Sequence, residues 1–165
     1  MNDFTHFDEK GNAVMVDVSD KEITHRTAIA QGSIHLSAEA MDAVQGRRVK
    51  KGDVFTVSQV AGIMGTKRTS ELIPMCHPLS LTNASVTFDV DEEACKITVY
   101  CKAVTDDKTG VEMEALTGVS IALLTIYEMC KAIDRRMRIS DIHLTEKAGG
   151  KSGDFRYTQP DQDRE

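Results

Sequence analysis

Apolar and polar residues alternate through Val86-Thr87-Phe88-Asp89-Val90 and again through Ile97-Thr98-Val99-Tyr100-Cys101. A period of two is the pattern of a half-buried strand, and the short acidic link Asp91–Ala94 predicts a hairpin. Upstream, Arg26 to Leu36 carries little charge and reads as an extended segment with Ile34 and Leu36 on one face. Ser37 is placed to cap a helix over Ala38–Gln45, with Gly46 as its stop. Asp53 is placed to cap a second helix, in which Val57, Val60, Ala61 and Met64 recur at helical spacing. Pro74 and Pro78 bracket Met75-Cys76-His77 and forbid regular helix there.

Past the hairpin, Asp106–Gly110 reads as a loop, and a long helix is expected from about Glu112 to Asp134. A last strand is expected over Ile139–Leu144, then a Gly-rich basic loop, Lys147–Gly153. Taking the two early helices together, the order is β-α-β-β-α-β. The expected fold class is therefore α+β and ferredoxin-like: an antiparallel sheet with helices on one face. One domain is expected over 13–156, between polar tails at 1–12 and 157–165.

Within the long helix, Ala115 to Tyr127 bears no charge over more than three turns. A helix with a solvent face carries charge every turn or so, so most sides of this one should be covered. The sheet covers one side; in so small a domain a neighbouring subunit is the natural second cover. The run is too short to span a bilayer and contains Gly118, Ser120 and two threonines.

Composition narrows the function. The 165 residues are 41% hydrophobic and 28% charged, as in a globular domain, and the net charge of −6 argues against duplex DNA or an anionic membrane as partner. The first ten residues lack the basic start and apolar core of a signal peptide. The four cysteines form no CxxC pair and are expected to be free thiols in a reducing, cytoplasmic setting.

Three features could carry chemistry. Glu112 and Glu114 stand at one end of the uncharged helix, Glu128 and Lys131 at the other. They read either as capping residues and a surface ion pair or as acid–base groups in a partly dry cleft. Two prolines hold His77 in a rigid loop, which suits a tight turn or a ligand site. Adjacent Cys76 and His77 have poor spacing for zinc, and Cys130 would join them only through the fold. Basic residues are spread over Arg26, Lys50, Lys51, Lys67, Arg68, Lys131, Lys147 and Lys151. Gly149-Gly150-Lys151-Ser152 suits phosphate or a solvated linker, but Thr145 breaks the spacing of a nucleotide-binding P-loop.

Six segments taken together carry a resemblance. They are Met15–Ser19, Lys51–Phe55, Leu72–Leu79, Thr109–Thr117, Leu124–Ala132 and Lys151–Phe155. In this order and spacing the chain resembles the cyclic pyranopterin monophosphate synthase family of molybdenum cofactor biosynthesis, from about residue 5 to residue 156. The resemblance implies a ferredoxin-like fold in a homohexamer, a trimer of dimers, with active sites at dimer interfaces. It implies rearrangement of a purine triphosphate-derived substrate, 3′,8-cyclised dihydroguanosine triphosphate, to cyclic pyranopterin monophosphate with loss of diphosphate. It implies Lys51, Glu128 and Lys131 as catalytic residues, and Met75, Cys76, His77, Glu112, Met113, Glu114, Arg26 and Lys147 as substrate-binding ones. The family pattern has Asp where this chain has Glu128, one methylene longer. No resident cofactor or metal is implied beyond Mg²⁺ accompanying the triphosphate, and no nucleic acid or membrane partner. On this reading two nearby lysines lower each other's proton affinity, and the 147–153 loop closes over the site. A nucleotide-carrying module without catalysis and a zinc hydrolase using Cys76, His77 and Cys130 are the competing classes.

Overall fold

The computed structural model describes residue 8 and residues 10–158; expectations for residues 1–7, 9 and 159–165 lie outside the described residues. Nine elements follow in order: β1 (Thr24–His35), α1 (Ala38–Gln45), α2 (Val54–Thr66), α3 (Thr69–Leu72), β2 (Leu81–Asp91), β3 (Lys96–Asp107), α4 (Glu112–Cys130), β4 (Arg138–Ala148) and β5 (Phe155–Arg156). The sheet runs β2-β3-β1-β4-β5, and every neighbouring pair is antiparallel. The fold is thus the expected ferredoxin-like α+β architecture, with a two-residue fifth strand on one edge.

The local signals act where the sequence places them. The Ser37 side chain accepts from Ala40 N, and that of Asp53 accepts from Thr56 N, each satisfying an N–H at a helix start. The hairpin strands are longer than the clean alternation suggests, because β2 and β3 pair from Leu81↔Thr105 to Asp91↔Lys96, with one register shift between Leu81 and Asn83. Asp106 and Asp107 belong to β3 rather than to a loop because they pair with His25 and Thr24 of β1.

Helix α4 lies across β1 and β3 and beside α2. Its apolar residues Val119, Leu123 and Ile126 meet Ile34, Ile97 and Val99 in the core. The strand beneath is made of small residues, Ala28, Ala30 and Gly32; a Cβ at Gly32 would fall within 2.9 Å of Leu123, Ile142 and Val119. Helices α2 and α4 approach as closely: a Cβ at Gly62 would sit 2.9 Å from Gly118 O, and one at Gly118 would sit 2.8 Å from Thr66 Cγ2. By length and apolarity α4 could cross a membrane, but here it is the core helix of the domain.

The helix ends at Cys130, four residues before the expected Asp134. Both Ile133 N and Asp134 N donate to Cys130 O, tightening the last turn. Asp134 serves the chain differently, accepting from Ser37 N and Arg136 N at 2.8 Å each. Its carboxyl is held below the usual range, mainly by the Arg136 N–H. The turn after α4 is thereby tied to the start of α1.

Strand β4 departs most from expectation. It runs to Ala148, so Lys147 is a strand residue, not part of a flexible loop; only Gly149–Asp154 form the turn into β5. Its register on β1 slips twice, between Gln31 and Ser33 and between Ile29 and Ala30. Each slip inserts one residue on β4, and Asp141 in the first has φ 57°. Leu144 and Lys147, three apart, therefore pair with Ala30 and Ala28 and share the helix-bearing face. Without the second bulge the lysine would face away from α4.

Candidate functional site

A cleft of about 390 Å³ opens at the N-terminal end of α4. Its wall brings together Met75, Cys76 and His77 from the proline-bracketed loop and Glu112, Met113 and Glu114 from the first turn of the helix. The loop is held by a turn, Cys76 N donating to Ile73 O at 3.1 Å. Carboxylates in the first turn are favoured by the helix dipole, and Val111 supplies no side-chain cap of its own.

The two carboxyls differ sharply. Glu112 is reached from β4 by Lys147, whose Nζ donates to Oε1 at 2.9 Å and to Ser152 Oγ at 3.1 Å. Glu114 is 4% exposed, and burial pushes its carboxyl up to about 7, the Glu112 charge adding to the effect. The Cys76 thiol is likewise raised, by burial first and by Glu114 second, so it is not a thiolate nucleophile at neutrality.

A second cleft of about 440 Å³ adjoins the first through Lys21, which lines both. Arg26, Lys151 and Ser152 form much of its wall. Arg26 Nε donates to Asp107 O at 3.0 Å and its Nη2 to Lys108 O at 3.2 Å. This guanidinium therefore braces the end of β3 as well as facing the cleft. Gly150, at φ 81°, passes so close that a Cβ would fall 2.2 Å from Arg26 Nη1. With Lys147, these residues make a cationic rim around an acidic wall. Lys21 carried no motif in the sequence; only the path of the chain beside the Gly-rich turn reveals it.

The remaining expected residues lie elsewhere. Lys51 Nζ, from the linker before α2, donates to Glu128 Oε1 and to Glu128 O, both at 2.7 Å. Lys131 Nζ stands 2.6 Å from Glu128 Oε2. Hydrogen bonds from Lys131 and Lys51 hold the Glu128 carboxyl down to about 2. Within one chain the Glu128 carboxylate is thus clasped by two ammonium groups. Glu128 enters any reaction as an acceptor. Sixteen residues of helix separate Glu128 from Glu112, a rise of about 24 Å. Within one chain, then, the fold assembles two half-sites at opposite ends of α4.

Within one chain the three side chains of the zinc reading do not meet. Cys130 is buried at the far end of α4 from Cys76 and His77, and burial raises its thiol to about 11. Among the described residues no group of three His, Cys, Asp or Glu side chains is arranged to hold a metal ion.

Comparison with known proteins identifies the family. Residues 15–150 match the MoaC family. A cyclic pyranopterin monophosphate synthase of Clostridium perfringens is 56% identical over 156 residues, covering 94% of this chain and 99% of its own. Proteins of the same name from Desulforapulum autotrophicum and Natranaerobius thermophilus are 53% identical over 163 residues and 54% identical over 155. These matches cover 97% and 94% of this chain, and 100% and 98% of the two relatives.

Proposed function

We propose, because this chain belongs to the MoaC family, that it is an enzyme of molybdenum cofactor biosynthesis that forms cyclic pyranopterin monophosphate. The observation that carries this reading is 53–56% identity, over nearly the full length, to proteins of that name, coupled with a site suited to a purine-derived triphosphate. The substrate on this reading is 3′,8-cyclised dihydroguanosine triphosphate. The purine-derived five-membered ring opens, a pyran ring closes, and diphosphate leaves as the cyclic phosphate forms. The atoms balance without added oxidant or reductant, so the reaction is a diphosphate-releasing lyase step. Mg²⁺ comes with the triphosphate rather than in a protein cage.

The residues divide the work by their chemistry. Lys21, Arg26, Lys147 and Lys151 offer cationic donors to the phosphates, while Glu112 accepts from ring N–H groups. His77 is fixed by Pro74 and Pro78 and orients the bound ring. Lys131 and Lys51 carry protons, and Glu128 holds their ammonium groups in register.

A single subunit separates these roles by the length of α4, and the site is completed by a neighbour. Val57, Val60 and Met64 on α2 and Leu124 on α4 are exposed apolar residues of helices otherwise packed in the core. A second copy related by a two-fold axis would cover them and bring its Lys51–Glu128–Lys131 cluster toward the cleft of the first. Three such dimers form the hexamer of this reading, and the enzyme works in the cytoplasm.

The direct test is to incubate the purified protein with the cyclised triphosphate. Diphosphate should appear in step with a product that gives a fluorescent pterin on oxidation. Tight nucleotide binding without diphosphate would identify a carrier module instead.

A further inference from the structure

Glu112 and Glu114 lie in one turn of α4 and on the wall of one cleft, but their surroundings divide them. Glu112 has a cationic partner, Lys147. Glu114 is more deeply buried; its carboxyl accepts from its own backbone N–H, and no ion pair among the described residues ends on it. The other charged or titratable groups lining the cleft are Lys21 before β1, Cys76 and His77 in the proline loop, and Glu112 on the same helix, which Lys147 reaches from β4. The one cation bonded to this acidic wall is on Glu112.

Two adjacent carboxylates cannot share one ammonium equally in a confined space. The unpartnered one lowers its energy by keeping its proton. We propose that Glu114 binds the purine-derived ring as a neutral carboxylic acid, donating its O–H to a ring acceptor while Glu112 accepts from ring N–H groups as a carboxylate. This rests on the functional reading above and divides roles that the two glutamates would otherwise duplicate. A guanine-type edge presents a carbonyl oxygen beside N–H donors, and one acid with one carboxylate matches that alternation where two carboxylates would repel the carbonyl. Burial favours the protonated form, the residue's own backbone N–H opposes it and the Glu112 charge favours it again, with the carboxyl raised to about 7. The specificity that follows is for rings with an acceptor at this position over rings with only donors.

The test has two arms. In protein labelled with ¹³C at glutamate side-chain carboxyls, one resonance should titrate near neutrality and be absent from Glu114→Gln. If every glutamate titrates in the ordinary acidic range, the proposal falls, whether or not the protein turns over substrate. In the second arm, affinity for the cyclised triphosphate is followed against pH. Wild-type dissociation constants should rise about tenfold per pH unit above the neutral transition. Glu114→Gln, which keeps a donor and an acceptor without ionising, should bind with a flat profile. A flat wild-type profile, or a fall that persists in Glu114→Gln, overturns the assignment. Should Glu114→Gln fail to fold, the wild-type titration decides alone. Loss of diphosphate release with a neutral-titrating glutamate still present would fault the enzyme reading and not the protonation.

Discussion

Glu128 accepts from the Lys51 ammonium at 2.7 Å, joining the linker before α2 to the last turn of α4. The same lysine also caps the Glu128 carbonyl, one of the helix-terminal C=O groups left without an amide partner. Lys51 thus stabilises the Glu128 carboxylate and the helix that carries it.

On this geometry Glu128→Asp should remain active, because a shorter carboxylate can still reach one of two flexible lysines. Glu128→Ala should lose about a hundredfold or more, the scale of a lost proton-transfer arrangement. Lys51→Ala and Lys131→Ala should give folded oligomers without turnover. Steady-state diphosphate release, read beside circular dichroism, checks all four. Equal rates for Glu128→Ala and Glu128→Asp would remove the carboxylate from the mechanism.

If the two ends of α4 serve different sites, defects at opposite ends should complement each other. Glu112→Ala and Lys131→Ala should each be inactive alone. Unfolded and refolded together, they should recover about a quarter of wild-type activity, since some dimers contain one undamaged site. Recovery of none would place both halves in the same subunit's site.

The two acids of α4 should shape stability against pH with opposite signs. Glu128 is depressed from 4.5 to about 2, so its contribution is present above 4.5 and lost as pH falls toward 2. Glu114 is raised from 4.5 to about 7, so its cost is absent below 4.5, grows between 4.5 and about 7, and is fully present above that. Thermal melts from about pH 3 to about pH 8 should show Glu128→Gln losing least, relative to wild type, at the acid end. Glu114→Gln should gain most at the alkaline end. Parallel curves for all three proteins would contradict both assignments.

The contact between α2 and α4 admits no side chain. Gly118→Ala would place a methyl 2.4 Å from Cys101 Sγ and 2.8 Å from Thr66 Cγ2, both in the packed interior. Destabilisation of about 1–3 kcal/mol is expected from such overpacking. Chemical denaturation measures it; an unchanged midpoint would mean that the helices part at no cost.

Much of this protein is legible one residue at a time. Ser37 and Asp53 cap the helices they precede, the hairpin strands alternate, and the uncharged stretch Ala115–Tyr127 sits inside the helix that closes the core. These are local properties, governed by spacings of two and of three to four residues. The motifs around His77 and Glu112 were visible for the same reason, being contiguous.

What lies across the chain was not visible. Two bulges in β4 turn Lys147 toward Glu112, and a strand's register is set by its partner, not by its own residues. Lys21 joins the site because the turn at Gly149 and Gly150 folds back against His25 and Arg26. The sequence by itself determined which elements form and which side chains could do chemistry, because hydrophobic period and capping act over a few residues. Only the tertiary structure decided that those side chains fall into two clusters a helix length apart, because the rise of α4 is rigid and no local rule can shorten it.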